Sequence, residues 1–116
     1  MASWISKNKR LAIYKRDNQV CCYCGKHCDI GDTRTHANPT QLASLDHIVP
    51  QKELAAAATD DKDFSAKRRD AKNLVVVCMG CNSSKCHTPL YVWCSQTGKD
   101  YAAIITRIAE RIVIAC

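Results

Sequence analysis

No run in this chain is apolar for the roughly 20 residues that a membrane-spanning helix needs. Its first residues also lack the apolar stretch of a secretion signal. Internal repeats and low-complexity tracts are absent too, which argues against a solenoid or a fibre. Acidic residues are in deficit: 11 Asp+Glu stand against 17 Lys+Arg, a formal net charge of +6. That balance favours nucleic acid or another polyanion as partner, with plain solubility as the simpler explanation. What the chain has in excess is cysteine, nine in 116 residues. An odd count without a secretion signal does not suit a disulfide scaffold; metal-bound thiolates in a reducing interior suit it better. The expectation is one domain over residues 1–116, in the cytoplasm of whatever cell makes it, with no membrane attachment and a monomeric or weakly dimeric state.

Residues 73–85 are the densest part of the sequence. Leu74 to Val77 are apolar and three of the four are β-branched, which predicts a short buried strand. Cys78-x-x-Cys81 follows at once, a spacing at which two thiolates can grip one metal ion from a tight turn. Asn82 and Lys85 then share a face if a helix starts there. Upstream lie a second pair, Cys21-x-x-Cys24 followed by Gly25, and an apolar run carrying Asp46-His47 before Pro50. Cys22, His27 and Cys28 are close enough to the first pair to substitute as ligands. Histidine titrates near neutrality, so His47 is a candidate general base. Asp46 and Asn82 offer oxygen donors of the kind Mg²⁺ takes.

Four pieces in this order, Cys21-x-x-Cys24-Gly25, Asp46-His47-Ile48-Val49-Pro50, Asp70-x-x-Asn73-Leu74 and Cys78-x-x-Cys81-Asn82-x-x-Lys85, resemble the HNH endonuclease family in its zinc-containing form. The resemblance covers about residues 15–90. It implies an α+β fold: a small ββα-metal core, also called a His-Me finger, with flanking helices. It further implies a structural Zn²⁺ held by Cys21, Cys24, Cys78 and Cys81. The implied activity is hydrolysis of DNA phosphodiesters, with His47 activating water, Asp46 and Asn82 holding Mg²⁺ or Mn²⁺, Asn73 orienting the loop that fixes His47, and 5′-phosphate products. The family often has His where Asn82 stands; the Asn form favours Mg²⁺ or Mn²⁺ over a tightly bound transition metal. Two other classes of function stay open: a zinc-stapled nucleic-acid-binding module without nuclease activity, and a structural or interaction protein in which Asp46 and His47 are buried and inert.

The remainder is read from the residues. A helix is expected over 3–16, with Trp4, Leu11 and Tyr14 on its apolar stripe and Lys7, Lys9, Arg10, Lys15 and Arg16 as either a solvated face or a phosphate-contacting arm. Asp17-Asn18 ends it. His36 falls in a polar loop. A strand is expected over 45–49, ended by Pro50. Adjacent strand residues face opposite ways, so Asp46 and His47 share a site only if the strand ends, twists or bulges there. Twenty-six positions separate His47 from Asn73, more than compact family members use. That insert begins with a helix at 52–58 and continues as an acidic patch (Asp60, Asp61, Asp63) and a basic one (Lys67, Arg68, Arg69). It is either a DNA-contacting loop or a solvated insertion; Lys67, Arg68, Arg69 and Lys85 are the nucleic-acid-binding candidates. His87 is an accessory ligand candidate or an exposed side chain. Thr88 caps a helix with Pro89 as its first residue, Gly98 breaks it, and Asp100 caps a last helix over 101–115. On that helix Tyr101, Ile104, Ile105, Ile108 and Ile112 form a stripe opposite Arg107, Glu110 and Arg111, suited to packing or to a dimer contact.

Overall fold

The computed structural model describes residues 4–114. Ser6 starts the first helix, α1 (Lys7–Arg16), by accepting a hydrogen bond from the Lys9 amide at 3.2 Å. Lys15 and Arg16 in its last turn complement the helix dipole. Residue 3, where a helix start was expected, lies outside the described residues. Trp4 precedes the helix instead of lining it, Leu11 is 37 % exposed, and the inward face is made by Ile13 and Tyr14. A cysteine-rich loop and a short 3₁₀ turn at Pro39–Gln41 lead into β1 (Ala43–His47).

β1 pairs antiparallel with β2 (Leu74–Cys78), Ala43 opposite Cys78 and His47 opposite Leu74. The first strand was expected over 45–49; it ends at His47. Beyond that point the Ile48 amide still bonds the Asn73 carbonyl at 2.9 Å. The Val49 backbone then passes to the Asn73 side chain, whose Oδ1 accepts from the Val49 amide at 2.7 Å while Nδ2 donates to its carbonyl at 3.1 Å. A side-chain clamp thus replaces the ladder. Pro50 caps α2 (Gln51–Ala57). The acidic and basic patches of the insert are the two ends of one helix, α3 (Asp61–Arg68). Asp60 caps it through the Asp63 amide at 2.7 Å, with acids in the first turn and bases in the last. α2 and α3 pack on each other, and a 3₁₀ turn at Ala71–Asn73 returns the chain to β2.

β2 is the centre of the core, with Leu74, Val75, Val76 and Val77 all at 0 % exposure. A strand buried on both faces reads as a continuous apolar run, which is how these residues stand in the sequence. Cys78 ends β2 and caps α4 (Met79–Lys85), its Sγ accepting from the Cys81 amide at 3.4 Å. α5 (Leu90–Thr97) has Pro89 at its cap position, so Thr88 is one residue too early to be the cap expected of it. Gly98, at φ +74°, supplies the left-handed residue that closes α5. Trp93 is buried, whereas Val92 is 41 % exposed. α6 (Tyr101–Ile114) begins as expected, with Asp100 Oδ1 accepting from the Ala103 amide at 3.0 Å; residue 115 lies outside the described residues. Ile104 and Ile108 face the core, while Tyr101 and Ile105 face outward.

Arg111 does not lie on the outer face of α6. It stands three positions after Ile108 and seven after Ile104, on the edge of the buried stripe. Its guanidinium reaches Asp17 Oδ2 at 3.2 Å and the Val20 carbonyl at 2.8 Å. Asp17, whose side chain is fully enclosed, also accepts from Arg16 Nε at 2.6 Å and from the Val76 amide at 2.8 Å. One carboxylate therefore ties the end of α1, the middle of β2 and α6. Removing one partner of such a buried set costs about 3–5 kcal/mol, because the opposite charges are left enclosed. Asp17→Ala is expected to lower unfolding free energy by about that amount in a denaturant titration; a loss below about 1 kcal/mol would show that the arginines find water instead.

Candidate functional site

Two constellations stand out, a cysteine cluster and the cleft beside it. The ligand atoms of Cys21, Cys24, Cys78 and Cys81 all lie within 4.8 Å of one another, and Cys24 Sγ is 3.9 Å from Cys78 Sγ. Tetrahedral zinc with Zn–S bonds of about 2.3 Å places sulfurs roughly 3.8 Å apart, so the donor set fits a structural Zn²⁺. Each pair is a knuckle of the same design. The Cys24 amide donates to Cys21 Sγ at 3.4 Å, as the Cys81 amide does to Cys78 Sγ. Gly25 at φ +76° makes the first turn possible. Burial opposes a thiolate at Cys21, but amide donors from Cys78, Cys24 and Tyr23 outweigh it and lower that thiol's pKa.

The other candidate ligands of this segment are not part of the cluster. Burial pushes the Cys22 thiol up to about 11 and the Cys28 thiol up to about 12, the values of inert core cysteines. His27 is exposed and faces Asp29 at 4.0 Å. His36, in the same loop, holds Asp29 at 3.1 Å through Nε2 and accepts from the Asn38 amide through Nδ1.

The cleft has a volume of about 990 Å³ and is bordered by Asp46, His47, Asn82, Lys85 and His87 together with Ser44 and Trp4. Burial alternates along β1 through His47, yet Asp46 and His47 both border the cleft, because it takes in Ser44, Leu45, Asp46 and His47 alike. His47 Nε2 lies 2.8 Å from the Arg68 carbonyl. A carbonyl only accepts, so Nε2 carries the proton and Nδ1 is left bare. The Trp4 ring packs on the imidazole at 5.1 Å between centroids, and His47 is only 7 % exposed. Burial lowers its pKa below 6.5, opposed by the Arg68 carbonyl and the Asp46 charge. The ring is thus neutral at pH 7.

Asp46 receives two donors, both on Oδ2: the Lys85 ammonium at 3.1 Å and the Tyr23 hydroxyl. Burial, reinforced by the Asp46 charge, raises the Tyr23 phenol far above its usual value, so it stays a donor. Among the described residues nothing donates to Asp46 Oδ1. Asn82 Nδ2 donates to Ser44 Oγ at 3.1 Å. A carboxylate oxygen and an amide oxygen at one cleft are the hard donors that suit Mg²⁺ or Mn²⁺.

Asn73 lies outside the cleft and clamps the Val49 backbone, two residues after His47. Lys85 lies in the cleft, 6 % exposed, its charge directed at Asp46 and not at solvent. The basic patch of the insert is divided: Lys67 pairs with Asp63 at 3.6 Å, Arg69 bonds Ser65 at 2.8 Å, and the Arg68 guanidinium lies over the Trp4 ring at 5.2 Å. Trp4, Tyr23 and Ser44 were not singled out from sequence as site residues. Tyr23 alone carried a signal, its position between the two knuckle cysteines.

Comparison with curated proteins finds two distant relatives. The chain is 30 % identical over 95 residues to the CRISPR-associated endonuclease Cas9 of Corynebacterium diphtheriae and 32 % identical over 95 residues to that of Actinomyces naeslundii. Each alignment covers 82 % of this chain and 7 % of the relative, so the chain is related to a small segment of those endonucleases. No family model matches, and no solved structure matches. No helix among the described residues is long and apolar enough to cross a membrane.

The cysteine geometry gives a direct expectation. Purified protein carries about one zinc per chain by elemental analysis. Cys78→Ser loses the metal and lowers the melting temperature, because structural zinc binding contributes folding free energy. Full zinc retention with unchanged melting in that variant contradicts the four-cysteine site.

Proposed function

We propose that this chain is an HNH-type endonuclease that hydrolyses DNA phosphodiester bonds with a divalent cation. The observation that carries the reading is the gathering of Asp46, His47 and Asn82 around one cleft, with His47 neutral and its Nδ1 bare. The relatedness to a segment of two Cas9 endonucleases and the net charge of +6 support it. Phosphodiesters resist hydrolysis because water is a weak nucleophile, the phosphate repels it and the departing alkoxide is poor. His47 Nδ1 takes the proton of the attacking water, a task for which a neutral imidazole is ready without prior ionisation. The Nε2–H bond to Arg68 holds the ring in one tautomer and stabilises the imidazolium once formed. Asp46 Oδ1 and the Asn82 amide oxygen would hold Mg²⁺ or Mn²⁺; such an ion, when bound, offsets charge on the phosphate and the leaving 3′ oxygen. Asn73 keeps the backbone after His47 from drifting.

His47→Ala is expected to retain zinc, folding and DNA binding and to lower plasmid cleavage by roughly 10²–10⁴-fold. Wild-type cleavage in that variant, or its unfolding, removes the histidine from the chemistry. The pH profile follows from the lowered pKa. The base works only when neutral, so activity of the free enzyme falls on the acid side with a midpoint below 6.5. The same sign applies to stability: a depressed histidine pKa stabilises the fold above 6.5, and that contribution is lost as pH falls through the folded-state value. A kinetic midpoint above 6.5 contradicts a dry, neutral His47.

A further inference from the structure

The side-chain amide of Asn82 can be turned either way in a cleft, presenting oxygen or NH₂ to whatever enters. Here its orientation is set by a neighbour. Ser44, on β1 opposite Val77, lies 3.0 Å from the Val77 carbonyl and 3.1 Å from Asn82 Nδ2. A carbonyl only accepts, so the Ser44 proton is committed to Val77. The hydroxyl then has only lone pairs to offer Asn82, and these bind the NH₂ end. The reverse amide orientation would set Asn82 oxygen against a hydroxyl whose proton is already taken. It would recover a hydrogen bond only by leaving the Val77 carbonyl without the serine proton.

We infer that Ser44 is a positioning residue that holds the Asn82 amide with its oxygen turned away from β1 and toward the cleft, ready for a divalent cation. The inference rests on the metal-dependent reading of the cleft. Ser44 touches neither water nor phosphate in this role. It acts through Asn82, as hydrogen-bond partners behind a metal's own ligands orient those ligands and raise the site's affinity. Ser44 stands two residues before Asp46 on the same strand, so both point to one side of β1. One short strand then presents the carboxylate and, through α4, fixes the amide.

The test is Mn²⁺ binding to the zinc-loaded protein, followed by electron paramagnetic resonance of the free ion, in wild type, Ser44→Ala, Ser44→Thr, Asn82→Ala and the Ser44→Ala/Asn82→Ala pair. Ser44→Ala is expected to weaken Mn²⁺ binding roughly 10-fold, within the 10–100-fold range for loss of a ligand's hydrogen-bond partner. Ser44→Thr keeps the hydroxyl and suits a strand, so it is expected to restore affinity to within about 3-fold. The double variant is expected to bind no worse than Asn82→Ala alone, since Ser44 has no effect once its partner is gone. A merely structural serine would lower the melting temperature without this pattern. Should Ser44→Ala be too unstable to assay, Ser44→Cys fills the same space with a weak acceptor and is expected to show the same loss. If Asn82→Ala weakens Mn²⁺ binding and Ser44→Ala does not, the inference about Ser44 is overturned and the reading of the cleft stands. If Asn82→Ala itself binds Mn²⁺ as wild type does, the metal-dependent reading fails and Ser44 with it.

Discussion

The closure of the two cysteine knuckles is the constraint on which the cleft depends. It joins a loop after α1 to the junction of β2 and α4, Cys24 and Cys78 being 54 residues apart in the chain. Tyr23 is carried inside the first knuckle and reaches Asp46; Asn82 follows directly on the second. Cys78 ends β2, caps α4 and contributes a sulfur, so strand register, helix start and metal position are set by one residue. A shift of β2 by one place would break its register with β1 and carry Cys78 away from Cys21 and Cys24. A zinc ion on these four sulfurs would add more than stability, because the first knuckle also aims a hydrogen-bond donor at the carboxylate.

The candidate catalytic groups are held from behind by uncharged contacts and one buried ion pair. His47 is fixed by a carbonyl, Asn82 by a hydroxyl, and the backbone after His47 by the Asn73 amide. Lys85 sits on Asp46 with both side chains largely enclosed. Such a pair holds the carboxylate in place and offsets its charge at Oδ2. Trp4 lies against His47 and beneath Arg68 and Arg10, so the segment before α1 forms part of the cleft wall.

The parts legible in the sequence were those set by local pattern. The buried strand at Leu74, the C-x-x-C pairs and the cap at Asp100 each announce themselves within a few residues. The end of β1 did not, because it is decided by Asn73, far along the chain. Nor did α3: its acids and bases read as two surface patches, although opposite charges at the two ends are what a helix dipole favours. Arg111 looked solvent-facing because it is charged, and its burial is dictated by Asp17 at the end of another helix. The pairing of Ser44 with Asn82 and of Trp4 with His47 was likewise invisible, since these are contacts between distant segments. Pattern thus located Asp46, His47 and Asn82 but carried nothing about what holds them.

Mapping the ends that the purified protein leaves on supercoiled, linear and single-stranded DNA in Mg²⁺ tests the central claim most directly. Water activated by His47, with the 3′ oxygen leaving, gives 5′-phosphate and 3′-hydroxyl ends that a ligase can rejoin, and chelation of the divalent ion abolishes them. Intact DNA on all three substrates, or 3′-phosphate ends that persist in chelator, would contradict a metal-dependent nuclease centred on Asp46, His47 and Asn82.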